Sequence, residues 1–320
     1  MGFEESLVYM KGRKKGTIKS LLTPWDKFND AGIGGIEWNT ITMIAARSAG
    51  GKTVTESQIV REAFELNPGE DFNILRFQLE MLARTSAIRE YSSVIGKSYK
   101  YLCSAEGELS DEDLQKCWDY AKGAVKYPID LIEEPVTVNE FVEIIDLYME
   151  EHAVRDAAGK ILNYRKLLVT FDHSILLMKS AFEKDKMEML YNFGAALTRL
   201  KKKYPISFII LSQLNRDILK QERCEDGKQG NYISESDIFG ADALFFHADI
   251  VVAIDRPALR NIRLYGPDRY IIDRKDILVF HFLKCRNGDP RISFFRSDFE
   301  RMSIVEMPPP PQQERKMRTS

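Results

Sequence analysis

The run Ala46-Arg47-Ser48-Ala49-Gly50-Gly51-Lys52-Thr53 permits few folds. It follows a predicted strand over residues 40–46 and precedes a predicted helix over residues 55–66. Gly50 and Gly51 let the backbone curl until successive N–H groups face one point, with Ser48 and Ala49 completing the curl. A helix that starts near Thr53 adds the positive end of its dipole at the same point. Lys52 brings a mobile positive charge, and Thr53 brings a hydroxyl suited to a hard cation. Placed between a strand and a helix, such a stretch reads as a phosphate loop of the Walker A kind. In that reading Lys52 reaches the β- and γ-phosphates of a nucleotide and Thr53 ligates Mg²⁺. The position that is usually the first glycine is Ala46 here.

Further apolar, often β-branched runs occur at residues 72–77, 167–171, 206–211 and 250–254. Long segments with helical period lie between several of them, such as 184–203. Continuously buried strands alternating with helices predict an α/β fold with a mainly parallel sheet flanked by helices. Two later runs, 277–283 and 292–295, flank Asn287-Gly288, a strong hairpin signal, so the sheet is expected to end in a C-terminal antiparallel hairpin. Residues 1–20 read as an arm or linker helix, in which Leu7, Val8 and Met10 form an apolar stripe. Residues 21–307 read as one ATPase-sized domain. Residues 308–320 begin with four prolines, continue with polar and basic residues, and read as a disordered tail.

Ligands of open α/β sheets sit at the carboxyl ends of the strands. Three such ends carry acidic or amide groups. The run 72–77 leads into Gln78-Leu79-Glu80, the run 167–171 into Asp172, and the run 206–211 into Ser212-Gln213. Asp172 reads as the Walker B carboxylate that holds Mg²⁺ with Thr53. Glu80 is the candidate base for an attacking water. Gln213 is positioned to sense a γ-phosphate. Lys284 and Arg286, two apart on a strand, share a face. Arginine there would act as a finger on the phosphate of another subunit.

The net charge of −2 from 46 basic and 48 acidic residues excludes a uniformly basic DNA-coating surface. Any nucleic-acid contact is therefore local, with 201–203 and 217–238 as candidates. No apolar run approaches the length of a membrane span. Four cysteines without a CxxC pair fit a reducing compartment rather than a disulfide scaffold.

Taken in order, these motifs resemble the ATPase domain of the DnaB-type replicative helicases, which are RecA-like P-loop ATPases. The residues that carry the resemblance are Ala45 to Thr53, Leu79-Glu80-Met81, Phe171-Asp172-His173 with Leu176-Leu177-Met178, Ser212-Gln213-Leu214-Asn215-Arg216, His247-Ala248-Asp249 and Lys284-Cys285-Arg286-Asn287-Gly288. The resemblance implies a RecA-like core, ATP and Mg²⁺ as cofactors, and a homo-oligomer, a hexameric ring, translocating on single-stranded DNA. It also implies that Lys284 and Arg286 serve the neighbouring subunit's nucleotide. Primase, polymerase or a loader are the implied partners, with no membrane. The implied location is the cytoplasm, or the host cytoplasm if the chain is phage-encoded.

The chain departs from the family's pattern in three places. The N-terminal domain that such helicases use for primase and loader contacts has no counterpart before residue 21. The family's charged DNA loop corresponds to Ser236-Asp237-Ile238-Phe239-Gly240-Ala241-Asp242, which carries Phe239 and no basic residue. Phe239 would either stack on a base or pack beneath the loop. Residues 152–166 read as an insertion. The alternative function is a non-unwinding RecA-like ATPase: a recombinase, a loader or an assembly module.

Overall fold

The computed structural model describes residues Gly2–Glu314. Its strands are β1 (Ile41–Ala46), β2 (Phe72–Gln78), β3 (Ile129–Ile132), β4 (Val154–Arg155), β5 (Ile161–Asn163), β6 (Lys166–Asp172) and β7 (Ile206–Gln213). They continue as β8 (Ile250–Asp255), β9 (Leu264–Tyr265), β10 (Tyr270–Ile271), β11 (Ile277–Cys285), β12 (Arg291–Asp298) and β13 (Ser303–Glu306). The main sheet runs β13-β12-β11-β8-β1-β7-β6-β2-β3. From β8 through β1, β7, β6 and β2 to β3 the pairing is parallel. At the other edge β11, β12 and β13 are antiparallel.

The helices are α1 (Gly2–Lys15), α2 (Asp26–Ala31), α3 (Lys52–Leu66), α4 (Ala83–Ile95), α5 (Tyr99–Leu102), α6 (Asp111–Ala124), α7 (Val138–Glu151), α8 (Lys186–Lys203) and α9 (Ala241–Phe245). Local chemistry starts several of them. Thr137 and Glu140 form a capping box at α7, the Thr137 hydroxyl accepting from Glu140 N at 3.3 Å and Glu140 Oε2 accepting from Thr137 N at 2.7 Å. Phe141, Ile145 and Met149 then recur at intervals of four and bury one face. Asp185 caps α8 by accepting from Met187 N and Glu188 N at 2.8 and 2.9 Å.

Strand alternation divides the core. Ile41, Met43 and Ala45 of β1 face a layer with Phe77, Phe141, Phe171, Phe193 and Phe208. Ile44 and Ala46 face the opposite layer with Trp25, Phe28, Ile59, Phe280 and Phe295. Each fully buried phenylalanine contributes about 1.5–3 kcal/mol of transfer free energy, so the parallel strands are held from both faces.

The α/β class and every predicted main strand are present, but several details differ from expectation. β3 and β13 are four-residue edge elements, too short to show a period. The long connection from Glu80 to Asp172 is a helical unit, α4 to α7. The expected insertion at 152–166 contains the β4–β5 hairpin, turned by Asp156 Oδ1 accepting from Ala158 N and Lys160 N at 2.9 Å.

The hairpin between β11 and β12 exists, but Asn287-Gly288 is not a two-residue turn. The ladder ends at Phe282 opposite Arg291. Pro290, which has no N–H, stops it there, and Lys284 and Cys285 pair with β8 instead. Gly288 is needed for a close approach, since a Cβ on it would lie 2.0 Å from the Ala31 carbonyl oxygen.

The tail also corrects its expectation. Ile271 N donates to Pro311 O at 2.9 Å and Gln313 N to Arg269 O at 3.0 Å, so 308–314 docks along β10. Extended prolines keep their carbonyl acceptors, and backbone pairing needs no apolar core. Residues 315–320 lie outside the described residues.

The arm is helical, as expected. Its base is pinned by Arg13, which donates to Ser20 Oγ at 3.0 Å and to Ile33 O at 2.7 Å. Phe3, Leu7 and Met10 are 88%, 55% and 63% exposed. Their i, i+4, i+7 spacing makes the stripe, with Phe3 in it and Val8 a hundred degrees off it.

Candidate nucleotide site

The phosphate loop is built by backbone geometry. Ala49 (φ 59°) and Gly51 (φ 103°) take left-handed conformations before α3 begins at Lys52. A Cβ on Gly50 would stand 2.8 Å from Arg47 O. The amides of the loop and of the first turn of α3 therefore point into one concavity, which suits an anion.

Parallel order brings the other residues there. β7, β6 and β2 lie successively beside β1, all running the same way, so Gln213, Asp172 and Glu80 emerge at the loop's end of the sheet. Lys52 Nζ donates to Glu80 Oε2 at 3.1 Å and to Asp172 Oδ1 at 3.3 Å. Thr53 Oγ1 donates to Asp172 Oδ2 at 3.1 Å. His173 Nε2 lies 3.4 Å from Gln213 Nε2 and 3.7 Å from Glu80 Oε2.

Burial raises the pKa of Asp172, and Lys52 opposes that shift. Burial and the Lys52 charge push His173 down to about 4, so it is neutral at physiological pH. Thr53 and Asp172 fit Mg²⁺, which takes one or two protein oxygens and completes its shell with phosphate and water.

A buried layer beneath the site escaped the sequence reading. Glu56 of α3 accepts from Arg76 Nη2 of β2 at 2.9 Å and from Thr170 Oγ1 of β6 at 2.6 Å, and Arg76 also reaches Glu90 of α4 at 3.0 Å. These bonds fix the elements that carry Lys52, Glu80 and Asp172. Burial works against the Arg76 charge, but Glu56 and Glu90 outweigh it and its pKa rises.

The cavity over the loop measures about 1050 Å³. Ser48 to Thr53, Glu80 and Gln213 line it, together with Arg89 and Tyr99 from the α4–α5 unit and Phe299 and Glu300 after β12. None of these last four carried a local sequence signal. Phe299 stands 248 positions after Gly51 in the chain and meets it only in the fold.

Lys284 and Arg286 are not at this cavity. β11 runs against β8, so its end at Cys285 pairs with Ile250, the first residue of β8. Arg286 N donates to Asp249 O, and Asp249 N to Ile41 O. Arg286 is thus level with the first residue of β1, about 17 Å of strand from the phosphate loop at roughly 3.3 Å per residue. Its guanidinium pairs with Asp249 at 3.3 Å. Lys284 turns inward and donates to Phe245 O at 2.8 Å and Phe246 O at 3.2 Å, so the two do not project as a pair. The cluster at 201–203 is largely committed as well, with Lys201 bound to Asp249 at 2.5 Å and Lys203 to Asp146 at 2.9 Å. Phe239 packs, partly buried, against the core, and its N–H donates to Gln213 O at 2.8 Å.

Residues 21–295 match the family described as DnaB-like helicase C terminal domain. Among solved structures, an isolated ATPase domain aligns with a TM-score of 0.76 at 17% identity, over 95% of this chain and 98% of its own. A DnaB-like replicative helicase, studied with its interactions with primase, aligns with a TM-score of 0.74 at 17% identity, over 96% of this chain and 67% of its own. A KaiC-like protein from the hyperthermophilic archaeon Pyrococcus horikoshii aligns at 0.53 and 15% identity, over 91% of this chain and 98% of its own. No curated protein matches the sequence significantly. At these identities the structural likenesses establish the RecA-like fold.

Proposed function

This chain belongs to the DnaB-like helicase C-terminal domain family, and from that premise we propose that it hydrolyses ATP with Mg²⁺ to move along single-stranded DNA as a ring hexamer during replication. The observation that carries the reading is the convergence of Lys52, Thr53, Glu80, Asp172 and Gln213 at one end of the sheet, with Arg286 at the other. In this mechanism the loop amides of Ser48 to Thr53 and the Lys52 ammonium hold the phosphates. Thr53 and Asp172 hold the cation, which when bound neutralises charge on the β- and γ-phosphates. Glu80 takes a proton from the attacking water. Arg286, unable to reach its own loop, serves the next subunit's site, with Lys284 supporting the same interface.

Gln213 links hydrolysis to DNA. Its side chain faces the site, while its backbone oxygen holds Phe239 at the start of the loop assigned to DNA. Arg223 fixes the same loop by a bidentate pair to Asp237 at 2.7 Å for both bonds. A change at the γ-phosphate thus has a short mechanical path to residues 236–242. Phe239 belongs to that mechanical path rather than to the DNA. Phe239→Ala is therefore expected to cost about 1–3 kcal/mol, less than a fully buried phenylalanine. The melting temperature should fall by several degrees while affinity for an oligodeoxythymidylate stays within about twofold; a loss of DNA affinity without a loss of stability would instead make Phe239 a stacking residue.

Residues 1–20 serve as the arm whose Phe3–Leu7–Met10 stripe docks on a neighbour, and 21–307 as the motor. Primase, a polymerase or a loader are the proposed partners, and the cytoplasm, or a host's cytoplasm, the place of work. Among the described residues no helix is long and apolar enough to cross a membrane.

The test is phosphate release with and without single-stranded DNA, alongside strand displacement on a forked duplex. Wild type should show DNA-stimulated hydrolysis and unwinding. Lys52→Ala should lose nucleotide binding altogether, because it removes the charge nearest the phosphates; binding retained within a few-fold would refute the loop assignment. The second reading, a recombinase, loader or assembly module, is favoured by one observation, the loop at 236–242 without a basic residue. Hydrolysis without strand separation would select it.

A further inference from the structure

We propose that the part of the cavity beyond the phosphate loop is a base clamp that selects an amino-bearing purine, with Tyr99 and Phe299 stacking on the base and Glu300 accepting from its exocyclic amine. The proposal rests on the nucleotide reading above and adds to it which nucleotides the site prefers.

The cavity of about 1050 Å³ extends past Lys52 and Glu80 to Tyr99 on one side and to Phe299 and Glu300 on another. Triphosphate and cation occupy the floor formed by the loop. The remaining volume is bounded by two aromatic rings from distant parts of the chain. Phe299 is held in place: it packs partly buried against the core, the Arg256 guanidinium lies 4.9 Å from its ring centroid, and a Cβ on Gly51 would come within 3.1 Å of its ring. Tyr99 is set at the first residue of α5, whose cap is Ser98 accepting from Tyr101 N at 3.2 Å. Rings of this kind offer a π-face to any base, and the larger purine ring system gains most from them.

Glu300 supplies the discrimination. Its neighbours Asp298 and Arg301 pair with each other at 3.3 Å, whereas the Glu300 carboxylate lines the cavity and has no ion pair among the described residues. A carboxylate is an acceptor only. It rewards the amine of adenine or guanine and repels the carbonyl edge of hypoxanthine.

Titration calorimetry in Mg²⁺ tests this with ATP, GTP, ITP, CTP and inorganic tripolyphosphate. Wild type should bind ATP or GTP about tenfold or more tighter than tripolyphosphate, the range of one stacked base, and tighter than ITP and CTP. The ATP-to-GTP ratio identifies which amine Glu300 meets. Phe299→Leu and Tyr99→Leu, which keep apolar volume but lose the π-face, should move ATP toward the tripolyphosphate affinity and leave tripolyphosphate unchanged. Glu300→Gln adds a donor and should tighten ITP, a gain that misfolding does not produce. Equal affinity for ATP and tripolyphosphate in the wild type overturns the clamp. Equal affinity for ATP and ITP overturns the role of Glu300. Failure to bind tripolyphosphate and every nucleotide removes the phosphate-loop reading itself, and the clamp with it.

Discussion

Arg286→Ala should bind ATP as the wild type does and hydrolyse it slower by a factor on the order of 10³–10⁵, the range for losing an arginine finger. The expectation follows from where the residue is. Arg286 is level with Ile41 at the start of β1, about 17 Å of strand from its own phosphate loop, and its side chain is 55% exposed. Its pairing with Asp249 is an exposed ion pair of the sort worth at most about 1 kcal/mol. Asp249 does not depend on it, because Asp249 also accepts from Lys201 Nζ at 2.5 Å and from Ile41 N at 2.8 Å. The arginine is therefore free to leave for a neighbour's phosphate without stranding a buried carboxylate. Mixing Arg286→Ala with Lys52→Ala should restore part of the activity, since the second variant lacks a working site but keeps its finger. Rescue arises only at the fraction of interfaces where an intact loop faces an intact finger. No rescue in mixtures shown by native mass spectrometry to co-assemble would rule out action between subunits.

Glu80→Gln should retain ATP and DNA binding and lose turnover by about 10²–10⁴, the usual contribution of a general base. The amide has the same shape but cannot accept the water's proton. Glu80 Oε2 is 3.1 Å from Lys52 Nζ and 3.7 Å from His173 Nε2, so the carboxylate stands beside the phosphate-facing charge. A quenched-flow measurement of the first turnover separates the chemical step from product release. Turnover unchanged in the variant would transfer the base role, with Asp172 the nearest other carboxylate.

The phosphate loop, the buried strands and the acidic strand ends were legible because each is a local pattern. A glycine pair before a helix, a β-branched run and a charged residue at its end need no distant partner to be recognised. The Glu56–Arg76–Glu90 layer was not legible. Its members are ordinary charges on separate elements, and only packing removes them from water. Tyr99 and Phe299 gave no signal for a similar reason. One opens a four-residue helix and the other a three-residue 3₁₀ turn, and nothing local distinguishes them from other surface aromatics.

The sequence by itself determined the chemistry available to this protein: a phosphate loop, a cation-binding hydroxyl and carboxylate, a base, and a basic hairpin, on an α/β frame. Strand order was left to the tertiary structure, and strand order assigns these groups to their places. Parallel neighbours β1, β7, β6 and β2 gather Lys52, Gln213, Asp172 and Glu80 at one end. The antiparallel turn into β11 sends Arg286 to the other end, because reversing a strand in a sheet exchanges the ends at which its residues emerge.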